Sequence, residues 1–324
     1  MNAGERVQAV AKRGFTERQA RFLTTVILHA GVCVPRQYAR FCGIVHGAKT
    51  RKFFAKLVRL GMASMYDCRH NRARIYHVTQ RALYAAIGEP DSTFRRRMSI
   101  NRAIQRLMIL DAIVEDPDLV WLATAEDKVA HLTAITSIAL VDLPHAVVGE
   151  GDARKVRHFP DRFPIGIHLA GRGVLVYVFA EPDLNGFRLF LERHAAVLRA
   201  LPAWTLRLVA PPDLPGVADR AKKVVEQHLM SPLQPVTVDE MRWYFEQLRS
   251  PAPSDMPRFE RDRRAFSSPR AQAVYKLWKQ DGEAALVRVG SHAIRQAVES
   301  GRGRVEVLEL GHRYGHLSPL AGSA

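Results

Sequence analysis

The sequence predicts an α+β fold, and three observations lead there. The first ninety or so residues alternate helical apolar stripes with one pair of short β-type runs. The middle of the chain changes to short apolar runs separated by turn residues, with helices between them. From Val217 onward helical patterns dominate. Boundaries are expected at 1–90 for a basic N-terminal domain, 91–118 for a connector helix and 119–249 for an α/β domain. A linker over 250–270 and a small C-terminal region over 271–324 complete the layout.

In the N-terminal domain, Thr16-Glu-Arg-Gln19 has the capping-box pattern, and Ala20, Phe22, Leu23, Val26, Ile27 and Leu28 keep a helical stripe up to Gly31. A short helix fits Pro35 to Phe41, with proline in the first turn, where its missing N–H costs nothing. A third helix fits Ala48 to Leu60, ended by Gly61. Its apolar residues Phe53, Phe54, Leu57, Val58 and Leu60 are expected in the core, leaving Lys49, Arg51, Lys52, Lys56 and Arg59 for other faces. Met62 to Cys68 and Arg74 to Val78 then alternate as a hairpin about the turn Arg69-His-Asn-Arg-Ala73, and Thr79 is expected to cap a helix from Gln80 to Ile87. This order is that of a winged helix-turn-helix, with the hairpin as the wing.

Charge gives that domain a purpose. Residues 1–110 hold 21 of the 48 Lys/Arg but only 5 of the 32 Asp/Glu, so the whole formal excess of +16 lies there. A proteome-wide basic bias would spread evenly, whereas a segregated field is the footprint of a nucleic-acid surface. The residues expected to touch DNA are Lys49, Thr50, Arg51, Lys52 and Lys56 on the third helix and Arg69, Arg72 and Arg74 on the wing.

Residues 92–113 read as one helix, with Arg95, Arg96, Arg97, Arg102 and Arg106 interleaved with apolar positions, serving as a connector or a dimerisation element. Beyond it, strands are expected at Ile138–Val141, Pro164–Leu169, Val174–Ala180 and Thr205–Val209, with a helix over Gly186–Leu201 and a turn at Ala170-Gly-Arg-Gly173.

These features together resemble the replication-relaxation family of plasmid and mobile-element proteins. The resemblance covers residues 15–212. It rests on the basic winged helix ending in Tyr76, Val78, Thr79 and Ala82, the arginine-rich helix, Pro160-Asp161, the hairpin, the acidic strand end and the following helix. It implies that the α/β domain is similar to a degenerate PD-(D/E)XK nuclease. In such a nuclease Asp161 and Glu181 would hold Mg²⁺, and a lysine would activate water. Asp183 stands where that lysine belongs, and the helix after it offers Arg188, Glu192 and Arg193, none of them a good base. Catalysis is therefore not expected, and Asp161 and Glu181 read as turn and strand-end acids.

In the C-terminal third, helices fit Val217–Leu229, Val238–Leu248, Ala271–Lys279 and Ser291–Glu299. A strand fits Val305–Leu310, and residues after Gly311 are expected to be flexible. Pro251, Pro253, Pro257 and Pro269 argue for an extended linker. Trp243, Tyr244 and Phe245 read as core aromatics, and His312 and His316 as surface histidines without a third ligand. Cys33, Cys42 and Cys68 have no CxxC spacing and read as buried thiols. The opening MNAGERVQAVAKRGF lacks the apolar core of a signal peptide, which points to a cytoplasmic location. No P-loop, GxSxG, HExxH or dinucleotide fingerprint occurs, and no cofactor is expected.

The expectation is a sequence-specific double-stranded DNA-binding protein, a homodimer organised by its central α/β domain, with a protein partner engaged through the α/β or C-terminal region as a further option and no membrane contact. Mobile-element replication or transfer follows from the resemblance. A transcriptional regulator uses the same parts, a Mg²⁺-dependent nuclease is the catalytic alternative, and a protein-docking winged helix needs no DNA.

Overall fold

A computed structural model describes residues 1–68, 73–149, 154–229, 238–267, 269–287 and 300–317. The fold is α+β. It opens with α1 (Ala3–Ala11), a helix with no counterpart in the sequence reading, started by a capping box between Asn2 and Glu5. Then come α2 (Glu17–His29), β1 (Val32–Cys33), α3 (Pro35–Phe41), α4 (Ala48–Arg59), β2 (Ala63–Asp67), β3 (Arg74–Val78) and α5 (Arg81–Ala86). The strands form a three-stranded antiparallel sheet in the order β1-β3-β2, with Ala63 opposite Val78. Gly31 lets α2 turn into β1: its φ is +74°, and an added Cβ would lie 2.6 Å from the Phe94 carbonyl oxygen. One sequence expectation fails locally. Gln80, not Thr79, is the N-cap of α5, and it makes no side-chain capping bond.

The expected single helix over 92–113 is two pieces, a 3₁₀ turn at Thr93–Arg95 and α6 (Ile100–Val114), which Ser99 caps by accepting from the Arg102 N–H. Helix α6 is a connector in the physical sense. Leu110 packs into the N-terminal core, while Leu107, Met108, Ile109, Ala112 and Ile113 belong to the core of the α/β region. A part-buried Arg36–Asp111 pair, two bonds of 2.7 Å each, ties α3 to it.

The α/β region contains β4 (Val120–Leu122), α7 (Ala125–Ile135), the hairpin β5 (His145–Val148) and β6 (Lys155–His158), then β7 (Ile165–Ile167), β8 (Gly173–Val178), α8 (Asn185–Ala200), β9 (Trp204–Ala210) and α9 (Val217–Leu229). Ile138–Val141 is not a strand; Leu140–Asp142 forms a 3₁₀ turn with Leu140 and Val141 exposed. Strand β8 is buried along its whole length, so its unbroken run of apolar residues reads as a central strand. It runs parallel to β9 through the α8 crossover and antiparallel to β7, which pairs antiparallel with β4.

The rest is α10 (Val238–Gln247), α11 (Met256–Ala265), α12 (Pro269–Asp281), α13 (Ala284–Val287) and β10 (Gly303–Glu309). These correct the sequence reading in three places. The proline-rich stretch is not an extended linker, because Asp255 caps α11 and Pro257 sits in its first turn. Strand β10 is not part of a separate terminal region: it pairs parallel with β9, giving the sheet order β10-β9-β8-β7-β4. Residues after Gly311 are anchored as far as Leu317, with Tyr314 buried and its hydroxyl donating to Asp111. Helices α10 to α13 share a small core of their own around Tyr244, Phe245, Phe266 and Trp278. The helix expected at Ser291–Glu299 lies outside the described residues.

Candidate nucleic-acid interface

Helix α4 is held by one face. Phe53, Phe54 and Leu57 are at most 1 % exposed, and each such side chain contributes about 1.5–3 kcal/mol by burial. Phe53 stacks on Tyr38 at 4.2 Å and meets Phe22 and Phe54 edge-on. Aromatic contact on this scale fixes the rotation of the helix, and so decides which residues face outward.

Outward stand Lys49, Arg51, Lys52 and Arg59, all exposed and without an ion-pair partner among the described residues. The helix starts at Gly47 with no side-chain cap and no acid in its first turn, so its N-terminal N–H groups add to the positive field. Lys56 is half-buried and differs from these: its ammonium donates to the Gly14 carbonyl and lies 4.8 Å from the Phe15 ring centre, bracing α4 against the loop before α2. Thr50 is fully buried, so its expected contact with DNA is corrected to a core position. Val58 and Leu60, expected in the core, are 39 % and 40 % exposed, since they fall on the outer arc once Phe53 and Leu57 point inward.

Helix α4 forms part of the wall of an open groove of about 2000 Å³, lined also by the start of α2, the end of α3, the end of α6 and β4. Arg18 lines it as well as Lys49 and Lys52, an exposed cation whose sequence signal is hidden within the capping box of α2. Arg40, on the same groove, is paired with Glu115 at 2.8 Å. On the hairpin, Arg74 is exposed but bonded to Asp67 across the strand pair at 3.0 Å, which offsets its charge locally. Arg69, His70 and Arg72 lie outside the described residues.

Asp161 and Glu181 do not form a pair of equivalent acids. Glu181 is exposed and lines a small cavity with Asp183 and Arg102. Asp161 precedes β7 in a loop where Phe159 and Arg162 adopt φ of 49° and 59°, rare for residues with side chains. Its side chain is 11 % exposed; one oxygen accepts from the Phe163 N–H, and the other faces His194 Nε2 at 3.5 Å. Asp161 is thus a turn acid, as expected, but one whose second oxygen is turned inward beside His194.

Around it gather basic side chains, of which Lys128 and His194 carry no expectation from the sequence and Arg106 only a place in the arginine-rich helix. Lys128, on α7, is buried and donates to the Phe163 carbonyl at 2.7 Å; burial pushes its ammonium down to about 8, against the attraction of Asp161. Arg106 is pushed down to about 10 by burial, then by Arg102, again with Asp161 opposing. Burial likewise lowers His194, which stacks on Phe190 at 4.1 Å. The Tyr177 hydroxyl is pushed up by burial and then by Asp161, Asp183 and Glu181, and the side chain is packed among Phe163, Phe179, Phe187 and Phe190. Among the described residues no group of three or more His, Cys, Asp or Glu could hold a metal ion.

The chain matches no family model, no curated protein and no solved structure. Cys33 and Cys68 are buried and Cys42 half-buried, all as free thiols. Among the described residues no helix is long and apolar enough to cross a membrane.

Proposed function

We propose that this protein binds double-stranded DNA in a sequence-specific manner through residues 1–90, a winged helix whose α4 enters the major groove, and that it has no catalysis of its own. The observation that carries this reading is the outward face of α4: Lys49, Arg51 and Lys52 exposed and without an ion-pair partner among the described residues, on a helix whose opposite face is locked by stacked aromatics. In a domain this poor in acids, such a face serves an external polyanion. The order of α2, β1, α3, α4 and the β2–β3 hairpin supports the winged-helix reading.

The hairpin β7–β8, the crossover helix α8 and the parallel strand β9 support reading the α/β region as a relative of the PD-(D/E)XK fold. Its acid at Asp161 accepts from the Phe163 N–H and lies in the field of the buried Lys128 and Arg106, which favours a binding or organising role over cleavage. A role in mobile-element replication or transfer, rather than transcription, follows from the family resemblance.

Fluorescence anisotropy with a labelled genomic duplex tests the reading. Lys49→Glu, Arg51→Glu and Lys52→Glu together are expected to abolish binding with the melting temperature little changed, because the three side chains are exposed. Unchanged affinity would remove α4 from the interface. Absence of any salt-sensitive affinity in the wild type would leave a protein-docking module instead.

A further inference from the structure

A pocket of about 520 Å³ opens between the β5–β6 hairpin, the loop before β7 and helices α8 and α12. Its wall includes Arg193, a guanidinium-bearing residue only 9 % exposed. One Nη of Arg193 donates to Gln280 Oε1 at 3.0 Å, while Nε has no hydrogen-bond partner. No ion pair engages this side chain among the described residues. A guanidinium keeps its proton at any pH the fold survives, so burial cannot be relieved by neutralisation. What relieves it is an anionic acceptor, ideally one with several oxygens.

Two further cations line the same pocket. Arg154 and Lys279 are both exposed and without an ion-pair partner among the described residues. Lys279 rests over the Tyr275 ring at 4.8 Å, a contact that leaves its charge unneutralised. Asp161 is the one acid on this wall; one of its oxygens accepts from the Phe163 N–H and the other faces His194 Nε2 at 3.5 Å, and no ion pair joins it to the three cations among the described residues. The pocket therefore presents three positive groups and an amide to whatever enters. Its volume falls within the range of about 300–1,000 Å³ typical of small-molecule sites.

We propose that this pocket binds the phosphate group of a small molecule of nucleotide size, with Arg193 as the buried anchor, Arg154 and Lys279 closing on the phosphate from the rim, and Gln280 orienting Arg193. The phosphodiester backbone of DNA carries related chemistry, and the experiment separates the two sources.

The test uses the full chain and records melting temperature at constant ionic strength with inorganic phosphate, adenosine 5′-monophosphate, adenosine or chloride. Phosphate and the monophosphate are expected to raise it by a few degrees, with adenosine and chloride inert. In Arg154→Ala/Lys279→Ala, whose changes are on the surface, titration calorimetry is expected to show at least about tenfold weaker monophosphate binding, equivalent to about 1.4 kcal/mol. Arg193→Gln is expected to lose it altogether, with circular dichroism checking that the chain is folded. Duplex affinity of the double variant is expected to match wild type. No response to either phosphate probe, or an equal response in the double variant, overturns the proposal. Lost duplex affinity with no monophosphate binding also overturns it, and assigns these cations to the DNA backbone.

Discussion

Replacing Asp161 by Asn keeps the shape of the side chain, and its carbonyl still accepts from the Phe163 N–H, but it removes the charge that faces Lys128, Arg106 and His194. Among the acids acting on Lys128, Asp161 acts more strongly than Asp127, which is already engaged by Arg6 at 2.9 Å. Removing one partner of a buried ion pair costs about 3–5 kcal/mol. Asp161 is 11 % exposed and meets His194 at 3.5 Å rather than Lys128 directly, so the expected loss for Asp161→Asn is smaller, about 2–3 kcal/mol. At roughly 2–4 °C per kcal/mol for a region of this size, the melting temperature falls by about 5–10 °C.

Urea unfolding followed by circular dichroism at neutral pH, on wild type, Asp161→Asn, Lys128→Met and the double variant, gives the coupling directly. The double variant is expected to be more stable than the sum of the single losses predicts, by at least about 1 kcal/mol. Asp161→Asn as stable as wild type, together with Mg²⁺ stabilising wild type alone, would refute the counter-ion role and make Asp161 a metal ligand.

Three further outcomes follow from particular contacts. His29 is buried and pushed down to about 3, by burial first and then by Lys128. The unfolded chain takes up this proton below about 6.5, so the stability from neutral His29 is present above that pH and lost as pH falls toward 3, up to about 4–5 kcal/mol. Urea midpoints between neutral pH and mild acid should fall accordingly, more gently in His29→Gln; an identical slope in that variant would contradict the assignment. Phe53→Ala removes the ring stacked on Tyr38 and is expected to cost about 3–5 kcal/mol in urea and to weaken duplex binding, since α4 loses its orientation. Duplex affinity unchanged in a destabilised Phe53→Ala would separate the α4 face from binding. Tyr314→Phe deletes the hydroxyl that donates to Asp111, leaving Arg36 as the partner, and is expected to cost about 1.5–3 kcal/mol. Wild-type stability in that variant would show that the terminal anchor does not hold α3 and α6 together.

The N-terminal third was legible because its signals are local. Thr16 and Gln19 cap α2, Pro35 opens α3, and Gly61, at φ +62°, follows α4 where only a residue without Cβ turns freely. What failed there depended on packing. Thr50 looked available because it is polar among lysines, yet the turn that buries Phe53 and Phe54 buries it too. Long-range pairing was less visible still. Strand β10 joins β9 across more than ninety residues, and the short pieces β4, β5 and β6 are too brief to show a period. Prolines misled at 250–270, where Pro257 falls in a first turn and helps start a helix. Asp161 could be named from the sequence, but its partners Lys128 and His194 lie on separate helices, and only the fold brings them to it.

The most direct test of the account is a titration of the full chain against a random genomic duplex library at several salt concentrations, with retained fragments sequenced. The account predicts a recurring recovered site whose affinity falls steeply with salt, Lys49, Arg51 and Lys52 alone supplying a log–log slope of about −2.7. No retained duplex at low salt, or an affinity indifferent to salt, would contradict it.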